Sequence, residues 1–379
     1  MRFVVLGGYG IIGKAVVRDL FAFARHATII IAGRNYGKAR RYAASFHDMR
    51  VKATAADIQN SSQLAGILRE TEVCINCVQY PFNLDVMRAC LAAKVHYLDL
   101  GGLFHMTLEQ VRLDNDFKLI GKTAILGMGA APGLSNMLAS YGASFLSHVE
   151  SIEIVFANKD TTRYQQQFVL PYSFKTLVAE YTREPAVLRA GKTIFVPPRS
   201  GSKNYYLGKE FGTHSAFLTL HSEIATLPSS LRDKGLRQLE FRAAFPANMS
   251  ETIEQLIALG FTSSNALSGW LEAPIIDVTS ALMDKLIPSP GTRIKDKEII
   301  RVIVSGEQTL TLDAITASDG TTPAGVIDTA VPCSIVAQLL ASAAFHHGIV
   351  LPESLPAEKV FSELARRNIH ILKNGKRVN

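Results

Sequence analysis

The sequence predicts an α/β protein that combines a doubly wound parallel sheet of Rossmann type with an inserted second α/β domain on a mixed or antiparallel sheet. Strand-length apolar segments alternate with helix-length amphipathic segments up to about residue 127. A glycine-rich turn, GGYGIIG at 7–13, lies between the first strand and the first helix. After residue 127, sheet-like segments follow one another with few helices between them, which indicates a second sheet.

The first half of the chain contains strands that are apolar on both faces, which is typical of a parallel sheet covered by helices on both sides. The predicted strands are 2–6, 27–32, 51–54, 72–78, 96–100 and 123–127. The predicted helices are 11–24, 36–46, 60–69, 82–93 and 107–120. Each helix separates two strands, as crossovers between parallel strands require.

The second half of the chain contains segments that alternate or cluster as strands. The predicted strands are 149–157, 192–198, 216–222, 236–245, 299–306 and 309–316. The polar break SGEQ at 305–308 indicates a hairpin between the last two.

Two amphipathic helices are predicted near the C-terminus, at 334–348 and 357–367. Gly348 is expected to be the C-cap of the first, and His346 and His347 are expected to stabilise its dipole. These patterns divide the chain into three regions. They are a dinucleotide-binding domain at 1–127, a catalytic and dimerisation domain at 128–325, and C-terminal helices at 326–379 that return to the first domain.

The composition favours a globular protein that acts on a small molecule. A length of 379 residues exceeds what one hydrophobic core usually serves, and the net charge of +7 is dispersed rather than clustered, so we expect no nucleic-acid partner. The pair Cys74 and Cys77 lies in an apolar strand, so we expect no metal site. No signal-peptide pattern and no run of 18 apolar residues is found, so we expect a cytoplasmic protein without a membrane partner.

The glycine turn predicts a dinucleotide site. In Gly8-x-Gly10-x-x-Gly13, Gly8 permits the tight turn, Gly10 lets the backbone approach a pyrophosphate, and Gly13 lets the helix pack close to the strand. The helix then begins at Ile11 and Ile12, whose free N–H groups face the phosphates.

The end of the second strand, IIIAGRN at 29–35, predicts which dinucleotide is bound. An acidic residue there would accept the ribose hydroxyls of NAD, but this turn holds Arg34 and Asn35. The guanidinium of Arg34 can pair with the 2′-phosphate of NADP, and Lys38 adds a second positive charge. Asp57, after the third strand, is a candidate for contact with the adenine or for a turn. We therefore predict NADP in preference to NAD.

Residues after the fourth and fifth strands are expected to line the nicotinamide side, because doubly wound sheets bind ligands at the carboxyl ends of their strands. Val78, Gln79 and Tyr80 follow the fourth strand, and Tyr80 is also a candidate for contact with substrate. Asp99 ends the fifth strand and is followed by Gly101 and Gly102, which suggests a close backbone approach to a ligand.

Four segments resemble the saccharopine dehydrogenase-like oxidoreductases, which include saccharopine reductases, carboxynorspermidine dehydrogenases and L-lysine 6-dehydrogenases. They are VVLGGYGIIGKAVVRDL (4–20), INCVQYPFNLDVMRACLAAKVHYLDLGG (75–102), LGMGAAPGLSNMLA (126–139) and DTAVPCSIVAQLL (328–340). The resemblance covers most of the chain. It implies a Rossmann domain interrupted by a catalytic domain, and oxidation or reduction of a C–N bond with a nicotinamide cofactor. The sheet-rich second domain leads us to expect a homodimer.

The chain departs from this family's pattern at 129–133. Saccharopine reductases and carboxynorspermidine dehydrogenases read like GLDPG there, whereas this chain has Ala131 in the place of the aspartate. The segment APGLSN looks more like the lysine 6-dehydrogenases, which the resemblance associates with NAD. This motif and Arg34 therefore point to different cofactors.

Candidate catalytic residues come from types that carry protons near neutral pH. His221 and Glu223, in TLHSEIATLP, are two apart on an expected strand and would share a face, and His105 follows the fifth strand. Asp99 is a further candidate. For the substrate, Arg242 in LEFRAAFP resembles an arginine that binds substrate carboxylate in saccharopine reductases. Weaker substrate-binding candidates in PYSFKTL are Tyr172 and Lys175.

The sequence thus favours an NADP(H)-dependent oxidoreductase acting on the C–N bond of an amino-acid-derived amine or imine. One alternative is oxidative deamination of the L-lysine 6-dehydrogenase type. Another is a catalytically inactive nicotinamide-binding sensor or interaction protein, which the loss of the GLDPG aspartate leaves open.

Overall fold

Two β-sheets organise the chain, and a computed structural model describes residues 1–165, 169–170, 172–266, 273–283, 285–286, 291–343 and 345–379. The strands are β1 (Arg2–Leu6), β2 (Thr28–Gly33), β3 (Val51–Ala55), β4 (Val73–Asn76), β5 (His96–Asp99), β6 (Thr123–Ile125), β7 (Val149–Asp160), β8 (Ala186–Arg189), β9 (Lys192–Phe195), β10 (Lys203–Tyr206), β11 (Thr213–Leu218), β12 (Gln238–Ala244), β13 (Asp296–Gly306), β14 (Thr309–Ala317), β15 (Gly348–Val350), β16 (His370–Lys373) and β17 (Lys376–Arg377).

Helices cover both sheets. They are α1 (Ile11–Phe23), α2 (Tyr36–Ala44), α3 (Ser61–Leu68), α4 (Asn83–Ala93), α5 (Phe104–Val111), α6 (Asp114–Leu119), α7 (Leu134–Ser144), α8 (Phe174–Thr182), α9 (Glu223–Ser230), α10 (Ala247–Ala258), α11 (Ile275–Met283), α12 (Ala324–Ser342) and α13 (Ala357–Ala365). Short 3₁₀ turns lie at Tyr80–Phe82, Arg232–Lys234 and Pro352–Ser354.

The first sheet has the strand order β15-β6-β5-β4-β1-β2-β3, and every neighbouring pair is parallel. The chain adds β2 and β3 on one side of β1 and then crosses to place β4 on the other side. The crevice outside the carboxyl ends of β1 and β4 is therefore the switch point where such sheets bind ligands. The predicted parallel sheet is confirmed.

Most predicted elements of the first half are confirmed to within a few residues, but the helix predicted at 107–120 is wrong. The structure forms two helices there, α5 and α6, which are separated near Arg112. The break has a tertiary cause that periodicity could not reveal. It places Asp114 at the start of α6, where its carboxylate accepts a hydrogen bond from the Ile349 N–H of β15 at 2.8 Å.

The second sheet has the order β10-β11-β12-β7-β13-β14-β16-β17, with β8 pairing to β12 and β9 pairing to β8. The β12–β7 pair is parallel and the other pairs are antiparallel, so the predicted mixed sheet is confirmed. The hairpin predicted at 305–308 joins β13 to β14, and its turn is closed by a hydrogen bond from Gly306 N to Gln308 O at 3.0 Å.

The C-terminal segment differs from its prediction. Helix α12 begins at Ala324 and ends at Ser342, earlier at both ends than the predicted 334–348. Gly348 is not a C-cap but the first residue of β15, with a φ of 109°. A side chain there would overlap the carboxylate of Asp114, which explains the glycine. The adjacent histidine pair follows α12 by several residues and therefore does not cap it.

Helix α12 joins the two sheets. It packs against α1 on one side and against β13 and β14 on the other. It is long and apolar enough to cross a membrane, with a mean hydropathy of 1.6, but 72% of that stretch is buried inside the structure, as in a core helix. One buried cluster includes Phe3 of the first sheet, Met137 of α7 and Val302 of the second sheet, so a continuous core connects them.

Candidate active site

The glycine turn brings β1 and α1 into close contact. Gly7 has a φ of 71°, so the left-handed residue of the turn is Gly7 rather than Gly8. A Cβ on Gly8 would lie 2.9 Å from the carbonyl oxygen of Val5, and a Cβ on Gly13 would overlap the carbonyl oxygen of Gly7. The close packing expected at Gly13 is therefore observed, and a side chain at any of these three glycines would disturb the turn.

The start of α1 is open to an anion. Gly10 is its N-cap, with an extended backbone and no side chain that satisfies the first N–H groups. No acidic residue lies in the first turn, where Ile11 is exposed. The N–H groups of Ile11, Ile12 and Gly13 have no carbonyl partner within the helix, and the dipole adds partial positive charge. This end of α1 can therefore hold a phosphate group.

A pocket of about 670 Å³ lies beside this turn, and Tyr9, Arg34, Asn35, Tyr36 and Lys38 line it. Tyr9 connects the two segments that form the pocket, because its hydroxyl accepts a hydrogen bond from Asn35 N at 3.0 Å. Its ring lies over Gly33, where a Cβ would come within 2.6 Å of it. In the described part of the chain, neither Arg34 nor Lys38 forms an ion pair. The side chains of Arg34 and Lys38 therefore line this pocket, and both are free to bind an anion.

Two other predicted cofactor residues have local structural tasks. The Asn35 Oδ1 accepts a hydrogen bond from Lys38 N at 2.9 Å and thereby caps α2. The Asp57 Oδ1 accepts one from Gln59 N at 3.1 Å, which is a turn contact at the end of β3. Asp57 therefore forms a turn, which is one of the two roles that the sequence allowed for it.

The loop after β4 lies at the switch point beside the glycine turn. A Cβ on Gly7 would come within 3.1 Å of the Val78 side chain, which places Val78 against the turn. Gln79 is exposed, and Tyr80 is half-buried on the 3₁₀ turn that follows. These three residues therefore occupy the position expected of a nicotinamide-side lining.

Asp99 is buried beneath this edge rather than open to it, being 1% exposed. Its Oδ1 accepts hydrogen bonds from Gly101 N at 2.9 Å and Gly127 N at 2.6 Å. Its Oδ2 accepts from the Tyr97 hydroxyl at 2.8 Å and from Gln110 Nε2 at 2.5 Å. Burial raises the pKa of Asp99 although these donors oppose it. The catalytic role predicted for Asp99 does not fit, because both oxygens are already engaged, Oδ1 by the two loops and Oδ2 by the side chains of Tyr97 and Gln110.

The same two loops are locked together by Pro132. A Cβ on Gly101 would come within 2.6 Å of the proline ring, and one on Gly127 within 3.1 Å. Both glycines have positive φ, 112° and 67° respectively. The segments GG (101–102) and APG (131–133) therefore pack against each other at the carboxyl ends of β5 and β6. Ala131, in the place of the family's aspartate, is half-buried beside this contact.

His221 and Glu223 form a hydrogen-bonded pair, but not on a strand. Strand β11 ends at Leu218, and Glu223 is the first residue of α9. The His221 Nδ1 lies 2.8 Å from the Glu223 Oε2, and the imidazole stacks on Phe241 at 3.7 Å between ring centres. Burial lowers the pKa of His221, but the nearby carboxylates outweigh it and raise the pKa above its ordinary value. The pair is a candidate acid and base.

Glu180 is a functional candidate that the sequence analysis missed. It is buried on α8, and Tyr172 donates a hydrogen bond to its Oε2. Burial raises the pKa of Glu180 to about 7, while the charge of His221 opposes the increase. In the sequence, Glu180 could have been noticed as the one carboxylate in the largely apolar helix FKTLVAEYT. Tyr172, predicted to contact substrate, is thus joined to the His221 region through Glu180.

Arg242 does not have a free guanidinium. It is 6% exposed on β12, and it donates to Gly201 O at 3.0 Å, to the Tyr205 hydroxyl at 3.1 Å and to Glu240 at 2.7 Å. Alternate residues of a strand face opposite sides, so Arg242 lies on the face away from Phe241 and therefore from the imidazole stacked on it. The structure therefore does not favour the predicted carboxylate clamp, because the guanidinium is already occupied and faces the other side of the sheet.

The two remaining candidates are engaged in contacts between elements. Lys175 on α8 forms an ion pair with Asp277 on α11. His105 is exposed on α5, and its ring stacks on Phe195 of β9 with 5.7 Å between the ring centres. Neither contact brings these side chains into the His221–Glu223 pair.

Two domain models of one family match the chain. The saccharopine dehydrogenase NADP binding domain matches residues 3–125, and the saccharopine dehydrogenase C-terminal domain matches residues 129–369. A carboxyaminopropylagmatine dehydrogenase of Synechocystis sp. is 25% identical over 275 residues, which cover 69% of this chain and 67% of that protein. A carboxynorspermidine synthase of Vibrio alginolyticus is 23% identical over 287 residues, which cover 69% of this chain and 68% of that protein.

The fold is also shared with a solved structure. An apo, histidine-tagged saccharopine dehydrogenase (L-Glu forming) of Saccharomyces cerevisiae matches over 100% of both chains with a TM-score of 0.76 and 14% sequence identity. That likeness concerns the fold, whereas the two domain models together span most of the sequence. The chain therefore belongs to the saccharopine dehydrogenase family of oxidoreductases.

Proposed function

We propose that this protein is an NADP(H)-dependent oxidoreductase that acts on the C–N bond of an amine or imine derived from an amino acid or a polyamine. The observation that carries the proposal is the pocket beside the glycine turn, into which Arg34 and Lys38 bring two unpaired cations. A guanidinium can pair with a 2′-phosphate through two hydrogen bonds, whereas the acid found in NAD-specific sites would repel it. The name of the domain model that matches residues 3–125, which specifies NADP, supports the same choice.

The proposed dinucleotide would lie along the crevice from the Arg34 pocket to the loop after β4. The open N-terminus of α1 would hold the pyrophosphate, and the pocket around Arg34 would hold the adenosine phosphate. Val78 and Tyr80 would lie beside the nicotinamide, since they follow β4 at the switch point. The bound cofactor would supply or accept the hydride. The protein would position it against the substrate carbon.

His221 is the group we assign to the proton. When an imine is reduced, its nitrogen gains a proton, and when an amine is oxidised, the nitrogen loses one. The Nδ1 of His221 is held by Glu223, which leaves Nε2 to exchange a proton with the substrate. The neighbouring carboxylates raise the pKa of His221, which favours the imidazolium form as a proton donor.

Two observations bear on the substrate class, the names of the relatives and the contacts of Arg242. Two relatives are named for carboxyaminopropylagmatine and carboxynorspermidine, which suggests an amine of the polyamine type as well as an amino acid. Arg242 does not supply a free cation for a carboxylate. We therefore propose that recognition of the amine, rather than an Arg242 clamp, orients the substrate.

A substrate panel tests the proposed activity. Amino acids, agmatine and norspermidine would each be paired with 2-oxo acids or aldehydes and followed by the absorbance of the reduced nicotinamide. We expect turnover with at least one pair and a preference for NADPH. His221→Gln should lower kcat, whereas His26→Gln should not, because His26 is exposed and lies beyond the C-terminal end of α1, away from the glycine turn.

The same panel separates the alternatives. Deamination of lysine with NAD as the preferred cofactor would favour the L-lysine 6-dehydrogenase type. Tight binding of NADPH without turnover on any pair would favour a nicotinamide-binding sensor and would contradict the proposed reaction.

A further inference from the structure

The serine of the APGLSN motif makes a short hydrogen bond to the His221–Glu223 pair. The Ser135 hydroxyl donates to the Glu223 Oε1 at 2.6 Å, and the other oxygen of Glu223 lies 2.8 Å from the His221 Nδ1. We propose that Ser135 is a positioning residue that holds Glu223 against His221 and thereby keeps the proton of the neutral imidazole on Nδ1. This inference rests on the proposed role of His221 as acid and base.

The Ser135 hydroxyl has one close acceptor, the Glu223 Oε1. Ser135 is buried in the first turn of α7, and its alternative acceptor, Asn136 Oδ1, is farther away at 3.4 Å. Each carboxylate oxygen of Glu223 thus has one protein partner, Ser135 on one side and His221 on the other. A carboxylate held at both oxygens has little freedom to rotate, so the oxygen that faces His221 stays in place.

The state of the imidazole follows from these contacts. A carboxylate oxygen can only accept a hydrogen bond, so the Nδ1 that faces Glu223 must carry a proton. In the neutral ring the lone pair then lies on Nε2, which is the nitrogen left to take a proton from a substrate. Stacking on Phe241, with 7° between the ring planes, fixes the plane in which Nε2 points.

Ser135 also sets the position of this pair relative to the first sheet. It directly follows the loop that Pro132 locks at the carboxyl ends of β5 and β6. Its neighbour Asn136 donates to Thr226 Oγ1 at 3.2 Å, and Thr226 lies three residues after Glu223 on the same side of α9. Helix α9 is therefore attached at two points to the edge where the nicotinamide is proposed to lie.

The protonation of His221 can be measured without any substrate. Protein labelled with ¹⁵N in histidine would be studied by long-range ¹⁵N NMR, and His221→Asn would identify the His221 signals. In the unmodified protein we expect the neutral ring to carry its proton on Nδ1. In Ser135→Ala the Nε2–H form should increase, and in Ser135→Thr, which keeps a hydroxyl, it should not. Ser144→Ala, at the other end of α7, should leave the spectrum unchanged.

Kinetics supply an independent readout with a substrate from the panel. Ser135→Ala should lower kcat by about 10- to 100-fold, the range typical of residues that orient the ligands of a metal site. It should shift the pH profile and leave the KM for NADPH unchanged, and Ser135→Thr should recover most of the activity. Loss of kcat with an unchanged pH profile would indicate a merely structural serine and would contradict the inference.

The outcomes separate this inference from the proposed function. An Nε2–H tautomer in the unmodified protein, or an unchanged tautomer in Ser135→Ala, would overturn the positioning role whether or not the protein is active. The expected tautomer shift without turnover on any substrate pair would support the positioning role and contradict the proposed reaction.

Discussion

At the scale of single residues, the proposed preference for NADP depends on Arg34. It follows β2 at the position where NAD-specific sites place an acid, and it lines a pocket that also contains Lys38. Tyr9 supports this geometry, because its hydroxyl bonds to the backbone next to Arg34. The sequence identified Arg34 and Lys38, whereas Tyr9 was missed because its partner lies 26 residues away.

Replacing Arg34 by alanine should weaken the binding of NADPH and change the binding of NADH little. A hydrogen bond to a charged group contributes about 1.5–3 kcal/mol, which corresponds to roughly a 10- to 100-fold loss of affinity. Isothermal titration with each cofactor measures the two affinities. Arg40→Ala removes the same charge from α2 outside the pocket lining and should leave the preference intact. An equal loss for both cofactors in Arg34→Ala would contradict the 2′-phosphate assignment.

Glu180 should make the stability of the protein depend on pH. Burial raises its pKa from 4.5 to about 7, so the folded protein holds this proton more tightly than the unfolded chain. The stabilisation that the raised pKa of Glu180 provides is therefore complete below about pH 4.5, and it is lost as the pH rises through about 7. Glu180→Gln imitates the protonated form and can still accept the hydrogen bond of Tyr172. It should reduce the loss of stability between about pH 5 and about pH 8.

Urea unfolding at the two pH values tests this expectation. Glu184→Gln changes an exposed glutamate four residues away and serves as the control. If Glu180→Gln lost as much stability as the unmodified protein over this range, ionisation of Glu180 would not be the cause.

The glycine turn and α1 act together at the scale of elements. Gly13 lies in the first turn of α1 directly against Gly7, and this contact sets the distance from the helix to β1. The sequence identified this turn because its spacing is local. The contact of the GG and APG motifs through Pro132 could not be read from spacing, since the loops follow different strands.

Gly13→Ala should destabilise the protein, because its methyl group would overlap the Gly7 carbonyl and force α1 away from β1. Overpacking of this kind costs about 1–3 kcal/mol, and NADPH binding should weaken as well. Gly66→Ala is the matched control. Gly66 lies on α3 with no atom within 4 Å of the added methyl, so the change should stabilise by about 0.5–1 kcal/mol. Urea unfolding would measure both, and a neutral Gly13→Ala would show that the turn adapts.

The C-terminal segment connects both sheets at the scale of the whole molecule. Strand β15 joins the first sheet, α12 packs between the sheets, and β16 and β17 join the second. The sequence predicted only helices that return to the first domain. The boundary of this region at residue 326 stays a prediction, and the segment 326–379 contains strands as well as helices. The β16–β17 hairpin has the local signal Asn374-Gly375, with φ values of 50° and 74°.

Arg367 fastens this segment to the first domain. It forms an ion pair with Asp19 of α1 at 2.8 Å, and both side chains are buried, 4% and 7% exposed. Breaking a buried pair leaves an uncompensated charge and costs about 3–5 kcal/mol, so Arg367→Ala should lower the urea midpoint strongly. Arg366→Ala removes the neighbouring arginine, which is 62% exposed, and should cost at most about 1 kcal/mol. Similar losses in both variants would contradict a fastening role.

The candidate site could be predicted only where its residues act locally. The glycine turn, Arg34 and the His221–Glu223 pair were identified because each depends on neighbours within a few residues. The contacts that occupy Arg242 could not be read from the sequence, because two of its partners reach it through the fold: Gly201 lies 41 residues away and Tyr205 lies 37 residues away. Ser135 was missed for the same reason, since 88 residues separate it from Glu223.

Sequence patterns predicted the parallel first sheet, a second sheet that was mixed or antiparallel, and the dinucleotide turn. Hydrophobic periodicity and glycine spacing are properties of neighbouring residues, and they hold before the chain folds. Tertiary structure alone decided that Asp99 is buried as a support for two loops and that Arg242 faces away from the imidazole of His221. It also joined Ser135 to Glu223. Whether a polar side chain is free or already paired depends on residues far away in the chain, and only the folded packing brings them together.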